Sequence, residues 1–226
     1  MANMHSRPVV TAFDWVPDFA RGLVRDLRVR WAFEEIGLPY ETELLNAMSP
    51  RSDEYLGWQP FDQVPAFADG DLRFFETGAI LLYLGEQDER LLPKDPQTRW
   101  QAISWLFAAL NSVEPAFNPI VSYDVFHADK SWTKEARVPA MDLAKRKLMR
   151  VSDALGDKEW LAGRFSIADI AMVTVLNNLR HTEMVQEWPK LAAYKLRGET
   201  RPAYRRALDA QLADFKEDPP MQMEGA

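Results

Sequence analysis

The 226-residue sequence contains no cysteine, and this absence excludes several kinds of chemistry. Without thiols of its own, the chain has no disulfide framework, no cysteine-type zinc site and no cysteine nucleophile. Histidine is nearly as scarce, because only His5, His127 and His181 are present, too far apart in sequence to suggest a metal site. We therefore expect no bound metal and no disulfide exchange by this chain.

Long apolar runs and an excess of positive charge are also missing. No stretch approaches the roughly 18 apolar residues of a membrane-spanning helix, and residues 1–8 lack the apolar core of a signal peptide. Lys and Arg number 27 against 34 Asp and Glu, which gives a net charge of -7 that a nucleic-acid backbone would repel. We expect a cytoplasmic protein that binds neither membranes nor nucleic acid.

The composition that remains is that of a globular protein, with 47% hydrophobic and 27% charged residues. A proline-bearing connector at 91–96 separates a part with mixed strand and helix patterns from a part that is helical throughout. We predict two domains, residues 1–87 and 95–226.

The first part begins with a short strand at 9–13, rich in β-branched and aromatic residues. A loop punctuated by Pro17 and Gly22 follows, and the apolar spacing then predicts a helix over 23–36 that ends at Gly37. A second strand is predicted over 39–45.

A hairpin followed by a helix is predicted between residues 64 and 84. Two short apolar runs, 64–68 and 72–75, are joined through Asp69-Gly70, a dipeptide that favours a tight turn. Pro65 cannot donate a ladder hydrogen bond, which places it at the start of its strand, where the bond to Val64 is a candidate for the cis form. The apolar period becomes helical at Glu76-Thr77.

These two features together predict a site for a small peptide with a free amine and a free carboxylate. An extended Val64 beside a sheet edge can pair with a peptide lying alongside it. The helix start at Glu76-Thr77 offers N–H groups, a hydroxyl and a carboxylate to the charged end of that peptide. The alternative is that Val-Pro and Glu-Thr are ordinary strand-start and helix-cap chemistry, without a ligand.

The motif Pro60-x-x-Gln63-Val64-Pro65-Ala66, the Asp-Gly hairpin and Glu76-Thr77-x-Ala79-Ile80 resemble the glutathione site of cytosolic glutathione transferases. The resemblance implies an α/β thioredoxin-like N-terminal domain followed by an all-helical C-terminal domain, and a homodimer. It also implies glutathione as co-substrate and a small hydrophobic electrophile as its partner in the reaction. By the same resemblance, Gln63 holds the glycyl carboxylate, Val64 pairs with the cysteinyl backbone, and Glu76 and Thr77 hold the γ-glutamyl end.

The loop before the first helix departs from that family. Family members stabilise the glutathione thiolate with a Tyr, Ser or Cys here, and residues 14–25 contain none of the three. Because a free thiol titrates near pH 8.5, activation would have to come from backbone N–H groups, the positive end of the helix or a guanidinium. Arg21, Arg25 and Arg28 recur at helical spacing, and we take Arg21, which lies in the loop itself, as the candidate catalytic residue. The alternative is a solvated face balanced by nearby carboxylates.

In the helical part, Ser166 and Asp169 have the spacing of a capping box just before an apolar run. The same box occurs at this place in the glutathione transferases, and we interpret it as structural.

Two functions are compatible with the sequence. One is a transferase that promotes attack of the glutathione thiolate on an electrophilic carbon, or a glutathione-assisted reduction or isomerisation. The other is a non-enzymatic protein that keeps the fold for partner or ligand binding, and the missing Tyr, Ser and Cys favour it.

Overall fold

The computed structural model describes residues 7–219, in two compact units. Among these residues, the first unit consists of 7–87 together with 202–219, and the second spans 88–201. The domain limits expected from the sequence, 1–87 and 95–226, stay a prediction. Residues 1–6, most of the segment considered above for a signal peptide, and residues 220–226 lie outside the described residues.

A four-stranded mixed sheet forms the centre of the first unit. Its strands are β1 (Val9–Phe13), β2 (Glu41–Leu45), β3 (Ala66–Asp69) and β4 (Leu72–Phe75), in the order β2-β1-β3-β4. Strands β1 and β2 are parallel, whereas β3 is antiparallel to both of its neighbours. The predicted hairpin is confirmed, and Gly70 takes the positive φ of 60° that its turn requires.

Three helices accompany these strands: α1 (Asp26–Ile36), α2 (Asp53–Trp58) and α3 (Thr77–Gln87). Helix α1 packs against β1 and α3, and it ends at Gly37 in the left-handed conformation, as predicted. It begins at Asp26, three residues later than predicted, because residues 18–25 form tight turns with bonds such as Leu23 N to Ala20 O. The buried core includes Val10, Ala12, Leu27, Trp31, Phe33, Ala66, Phe67, Ile80, Leu81 and Leu84.

The second unit is entirely helical in its regular structure, as predicted, with five α-helices among the described residues. These are α4 (Pro96–Phe107), α5 (Glu114–Val121), α6 (Thr133–Leu155), α7 (Ile167–Asn177) and α8 (Pro189–Glu199). Every residue of α7 is buried, and α4 and α8 pack against it. A helix that is apolar on all sides is stable only in such a central position.

The predicted capping box forms at the start of α7. Ser166 accepts a hydrogen bond from Ala168 N (3.3 Å), and Asp169 accepts one from Ser166 N (3.0 Å). The Asp169 carboxylate also accepts from Leu161 N (3.0 Å) and Tyr194 Oη (2.8 Å). Burial raises the pKa of Asp169 to about 6, against the lowering effect of these three donors and of the Ser166 hydroxyl, which donates to Asp169 Oδ2 at 3.2 Å. The box therefore ties a loop and α8 to the central helix.

The last helix, α9 (Pro202–Asp214), belongs to the first unit, where it packs along α1. Tyr204 meets Trp31 edge-on at 4.9 Å between ring centroids, and Arg206 donates to the Glu34 carboxylate at 2.6 Å.

None of the helices within residues 7–219 combines the length and the apolar composition of a membrane-spanning helix.

Candidate functional site

The turn that leads into β3 is held from behind by a buried set of polar side chains. Tyr55 on α2 donates to Gln63 O (2.7 Å), so its one proton is used and the Thr11 hydroxyl must donate to Tyr55 Oη (2.9 Å). The Thr11 oxygen in turn accepts from Ala66 N (2.7 Å). The side chain of Gln59, which is 3% exposed, accepts from Gln63 N (3.1 Å). Both backbone polar groups of Gln63 are therefore already paired.

The next residue, Val64, differs from its neighbours in this respect. Its side chain is buried and its bond to Pro65 is cis. Within residues 7–219, no hydrogen bond joins the backbone N–H or C=O of Val64 to another residue. These two groups are available to a peptide lying alongside the turn.

The start of α3 lies at the same end of the hairpin as Val64. Ala66 pairs with Phe75, so the residues just before β3 and just after β4 come next to each other. Glu76 adopts a positive φ of 76°, which costs a non-glycine residue on the order of 1 kcal/mol or more. Its carbonyl accepts from Ile80 N (3.0 Å) and its side chain is exposed. The helix thus presents the N–H groups of its first turn beside a carboxylate.

Arg28 on α1 supplies a cation at this helix start. Its Nη1 donates to the Thr77 hydroxyl at 3.3 Å, and both side chains are almost fully buried. The guanidinium carries positive charge next to the hydroxyl that the resemblance assigns to the γ-glutamyl end. Sequence reasoning noted Arg28 only as part of the helical Arg repeat and chose Arg21 over it. The contact of Arg28 with Thr77 joins residues 49 positions apart, so the spacing within α1 does not indicate it.

Arg21 lies in the turn before α1, where three of its contacts are with Asp18 in the same loop and with two residues just after α9, rather than with α3. It forms an ion pair with Asp18 (3.3 Å), donates to Lys216 O (3.1 Å) and lies over the Phe215 ring at 5.9 Å. Its assigned role in thiol activation stays a prediction.

Gln63 is exposed, and its side-chain amide forms no hydrogen bond with another residue in the described range 7–219. The turn fixes the backbone of this residue while leaving its amide group directed to solvent, where a carboxylate could be bound. The structure thereby brings Gln63, Val64, Glu76 and Thr77 to one end of the β3–β4 hairpin.

The backbone before α1 carries N–H groups that are not used within the fold. The N–H groups of Arg21 and Leu23 donate to Asp18 O and Ala20 O, respectively. Those of Gly22 and Val24 have no acceptor within residues 7–219. Such donors, next to the positive end of a helix, favour an anion.

The segment that carries this site, residues 9–86, matches the family model described as glutathione S-transferase, N-terminal domain. Glutathione S-transferase F10 of Arabidopsis thaliana is 34% identical over 157 residues, which are 61% of this chain and 68% of the relative. Glutathione S-transferase 1 of Zea mays is 33% identical over 155 residues, 66% of this chain and 72% of the relative. A crystal structure of a glutathione transferase from Burkholderia graminis, with two glutathione molecules bound per subunit, is 28% identical with a TM-score of 0.79, covering 90% of this chain and 88% of that one. The chain belongs to the glutathione S-transferase family.

Proposed function

We propose that this protein is a glutathione transferase whose glutathione site lies at the end of the β3–β4 hairpin. The observation that carries the proposal is the unpaired backbone of Val64, held by the Tyr55 and Gln59 contacts beside the start of α3. The cysteinyl residue of glutathione pairs with Val64 N–H and C=O. Its glycyl carboxylate is bound by the Gln63 amide.

The γ-glutamyl end of the tripeptide fits the start of α3 by charge. Its amine faces the Glu76 carboxylate, and its α-carboxylate accepts from the Thr77 hydroxyl and the N–H groups of the first helical turn. The Arg28 guanidinium, 3.3 Å from that hydroxyl, adds positive charge on the carboxylate side. The glutathione bound in the Burkholderia graminis structure supports this choice of ligand.

The reaction we propose is attack of the glutathione sulfur on a small hydrophobic electrophile. The thiol gives its proton to solvent, the sulfur electron pair forms the S–C bond, and a leaving group departs with its own bonding pair. Arg21 and the N–H groups of Gly22 and Val24 stabilise the thiolate, in place of the Tyr, Ser or Cys of other members. Turnover with a panel of electrophiles, beginning with chlorodinitrobenzene, identifies the co-substrate.

Binding is tested by calorimetry with glutathione and by retention on immobilised glutathione. Glu76→Ala removes the carboxylate that faces the amine, and a charged hydrogen bond of about 1.5–3 kcal/mol corresponds to a loss in affinity of about tenfold or more. Glu41→Ala, an exposed glutamate on β2, is the matched control and leaves the affinity unchanged. A folded wild-type protein that passes through the column, with no heat of binding, contradicts the proposal.

The role of Arg21 is tested by kinetics. Arg21→Ala lowers kcat more than it weakens glutathione binding if the guanidinium acts on the thiolate. Equal losses in kcat and in glutathione affinity, or no loss in either, would show that Arg21 does not activate the thiol. A protein that binds glutathione but turns over no electrophile would instead be the non-enzymatic ligand-binding protein considered above.

We further propose a cytoplasmic homodimer. Support for self-association comes from Phe61, which is 62% exposed on the first unit, and from Trp100 and Phe107 on α4, which are 64% and 47% exposed. Aromatic side chains are enriched at subunit interfaces relative to the rest of a protein surface. Sedimentation of the wild type as a dimer, and of Phe61→Ser as a monomer, is the expected result; a wild-type monomer contradicts it.

A further inference from the structure

The residues at the end of α9 and just beyond it bind the loop that precedes α1. We call residues 211–216 the C-terminal strap and residues 14–26 the β1–α1 loop. Both belong to the first unit. The strap holds this loop at its beginning, its middle and its end.

Gln211 makes the contact at the end of the loop. It is 1% exposed, and its Nε2 donates to Val24 O at 3.1 Å and to Asp26 Oδ1 at 2.7 Å. Both protons of one side-chain amide are thus spent on the junction between loop and helix. The Val24 carbonyl held in this way also accepts from Leu27 N (3.1 Å) in the first turn of α1.

Arg30 connects the same junction to α9 by a second route. Arg30 Nε donates to Asp26 Oδ2 at 2.7 Å, and Arg30 Nη2 donates to Asp214 Oδ2 at 2.6 Å. Asp26 therefore contacts α9 directly through Gln211 and indirectly through Arg30. Hydrogen bonds to both oxygens fix the orientation of this buried carboxylate, and they thereby fix the start of α1, to which Asp26 belongs.

Lys216 makes the contacts at the beginning and the middle of the loop. Its N–H donates to Asp14 O (2.8 Å) and its Nζ to Asp14 Oδ2 (2.6 Å). Its carbonyl accepts from Arg21 Nη2 (3.1 Å). The loop is therefore fixed at three places by two residues of the strap, Gln211 and Lys216, which are far from it in sequence.

We infer that the C-terminal strap sets the position of the β1–α1 loop for thiol activation, with Gln211 as the main positioning residue. The inference rests on the proposed function, in which the Gly22 and Val24 N–H groups face the thiolate. Arg28, two residues after Asp26, contacts Thr77, so the helix start held by Gln211 is also the one that faces the glutathione site. With no hydroxyl or thiol side chain in the loop, activation depends on where the backbone lies, and a shift of about 1 Å can cost on the order of 100-fold in rate.

The test compares two variants of α9 that each remove the two hydrogen bonds of one side chain. Gln211→Leu removes the contact with the loop. Arg206→Gln removes the contact with Glu34 at the other end of α1, and it is the matched control for the packing of the two helices. Lys216→Ala is a second test variant at an exposed position, so it folds even if Gln211→Leu does not.

Three quantities are measured on the full chain. The ultraviolet absorbance of the bound thiolate against pH gives the pKa of the glutathione thiol, and kinetics give kcat and the KM for glutathione. Hydrogen exchange of the peptide spanning the loop reports its order without any ligand. For Gln211→Leu and Lys216→Ala we expect a higher thiol pKa, faster loop exchange and, in Gln211→Leu, a fall in kcat of about tenfold with KM changed less. Arg206→Gln leaves all three unchanged.

The outcomes separate this inference from the proposed function. A wild-type thiolate signal that Gln211→Leu and Lys216→Ala leave intact overturns the inference while glutathione binding stands. An equal effect from Arg206→Gln also overturns it, because the contact would then act only through helix packing. A wild type that shows no thiolate signal, with a loop that loosens on loss of Gln211, overturns the proposed function and, with it, the role of the strap in thiol chemistry.

Discussion

Replacing Arg28 with leucine and Thr77 with valine, singly and together, gives a double-mutant cycle on the γ-glutamyl end of the site. The two side chains share one hydrogen bond of 3.3 Å between almost fully buried groups. The cycle asks whether they act on glutathione as one unit or separately. Titration calorimetry with glutathione measures the four affinities.

The magnitudes follow from the bonds that each change removes. Thr77→Val deletes a neutral hydroxyl, worth about 1 kcal/mol, or roughly fivefold in affinity. Arg28→Leu deletes a cation beside the ligand carboxylate, worth about 2 kcal/mol, or roughly 30-fold. Because removing the guanidinium also releases the hydroxyl from its partner, we expect the double variant to lose less than the sum, with a coupling of about 1 kcal/mol.

Arg73→Gln is the control for charge. Arg73 is an exposed arginine on β4 that pairs with Glu54 at 3.7 Å, so its loss changes the net charge equally without touching Thr77. We expect its affinity for glutathione to match that of the wild type. Losses that add within about 0.3 kcal/mol would mean that the two side chains act separately. An Arg28→Leu protein with wild-type affinity, or an equal loss from Arg73→Gln, would refute the assignment of Arg28 to this site.

Three further predictions concern stability. Asp169→Ala leaves four buried donors without their acceptor and should lower the free energy of unfolding by about 3 kcal/mol or more in urea titrations. Gly198→Ala gains about 1 kcal/mol of helix propensity but places its Cβ 2.7 Å from Val173 Cγ2, so we expect net destabilisation that Val173→Ala relieves. Burial raises the pKa of Asp26 to about 6. The folded state therefore holds this proton more tightly than the unfolded state does. As the pH rises from about 4 to about 6, the free energy of unfolding of the wild type should fall relative to that of Asp26→Asn, by up to about 3 kcal/mol.

Each of these has a distinct contrary result. An Asp169→Ala protein within about 1 kcal/mol of wild type would mean that water replaces the carboxylate. A Gly198→Ala protein that is more stable than wild type would show that Val173 moves at little cost. For Asp26, a difference between wild type and Asp26→Asn that does not change with pH would mean that the Arg30 contact outweighs burial.

Local sequence signals were sufficient for much of the fold. The Asp69-Gly70 hairpin, the end of α1 at Gly37 and the Ser166–Asp169 capping box each depend on residues within a few positions of one another. Such signals act through backbone conformation and nearby hydrogen bonds, which a single sequence displays directly.

The features that sequence reasoning did not supply depend on contacts between distant residues. The return of α9 to the first unit rests on pairs such as Arg206 with Glu34, more than 150 positions apart. The contact of Arg28 with Thr77 joins residues 49 positions apart. To predict either contact, one must know which elements pack against each other. The apolar spacing of a helix shows which of its faces is buried, but not the element that covers that face.

A crystal structure with glutathione soaked in tests whether glutathione lies between the Val64 backbone and the start of α3. We expect two hydrogen bonds of about 3 Å between the cysteinyl backbone and Val64, with the γ-glutamyl group at Glu76 and Thr77. We also expect the sulfur next to the N–H groups of Gly22 and Val24. Glutathione bound elsewhere on the chain, or bound in the reverse direction with its glycyl carboxylate at Thr77, would contradict this placement.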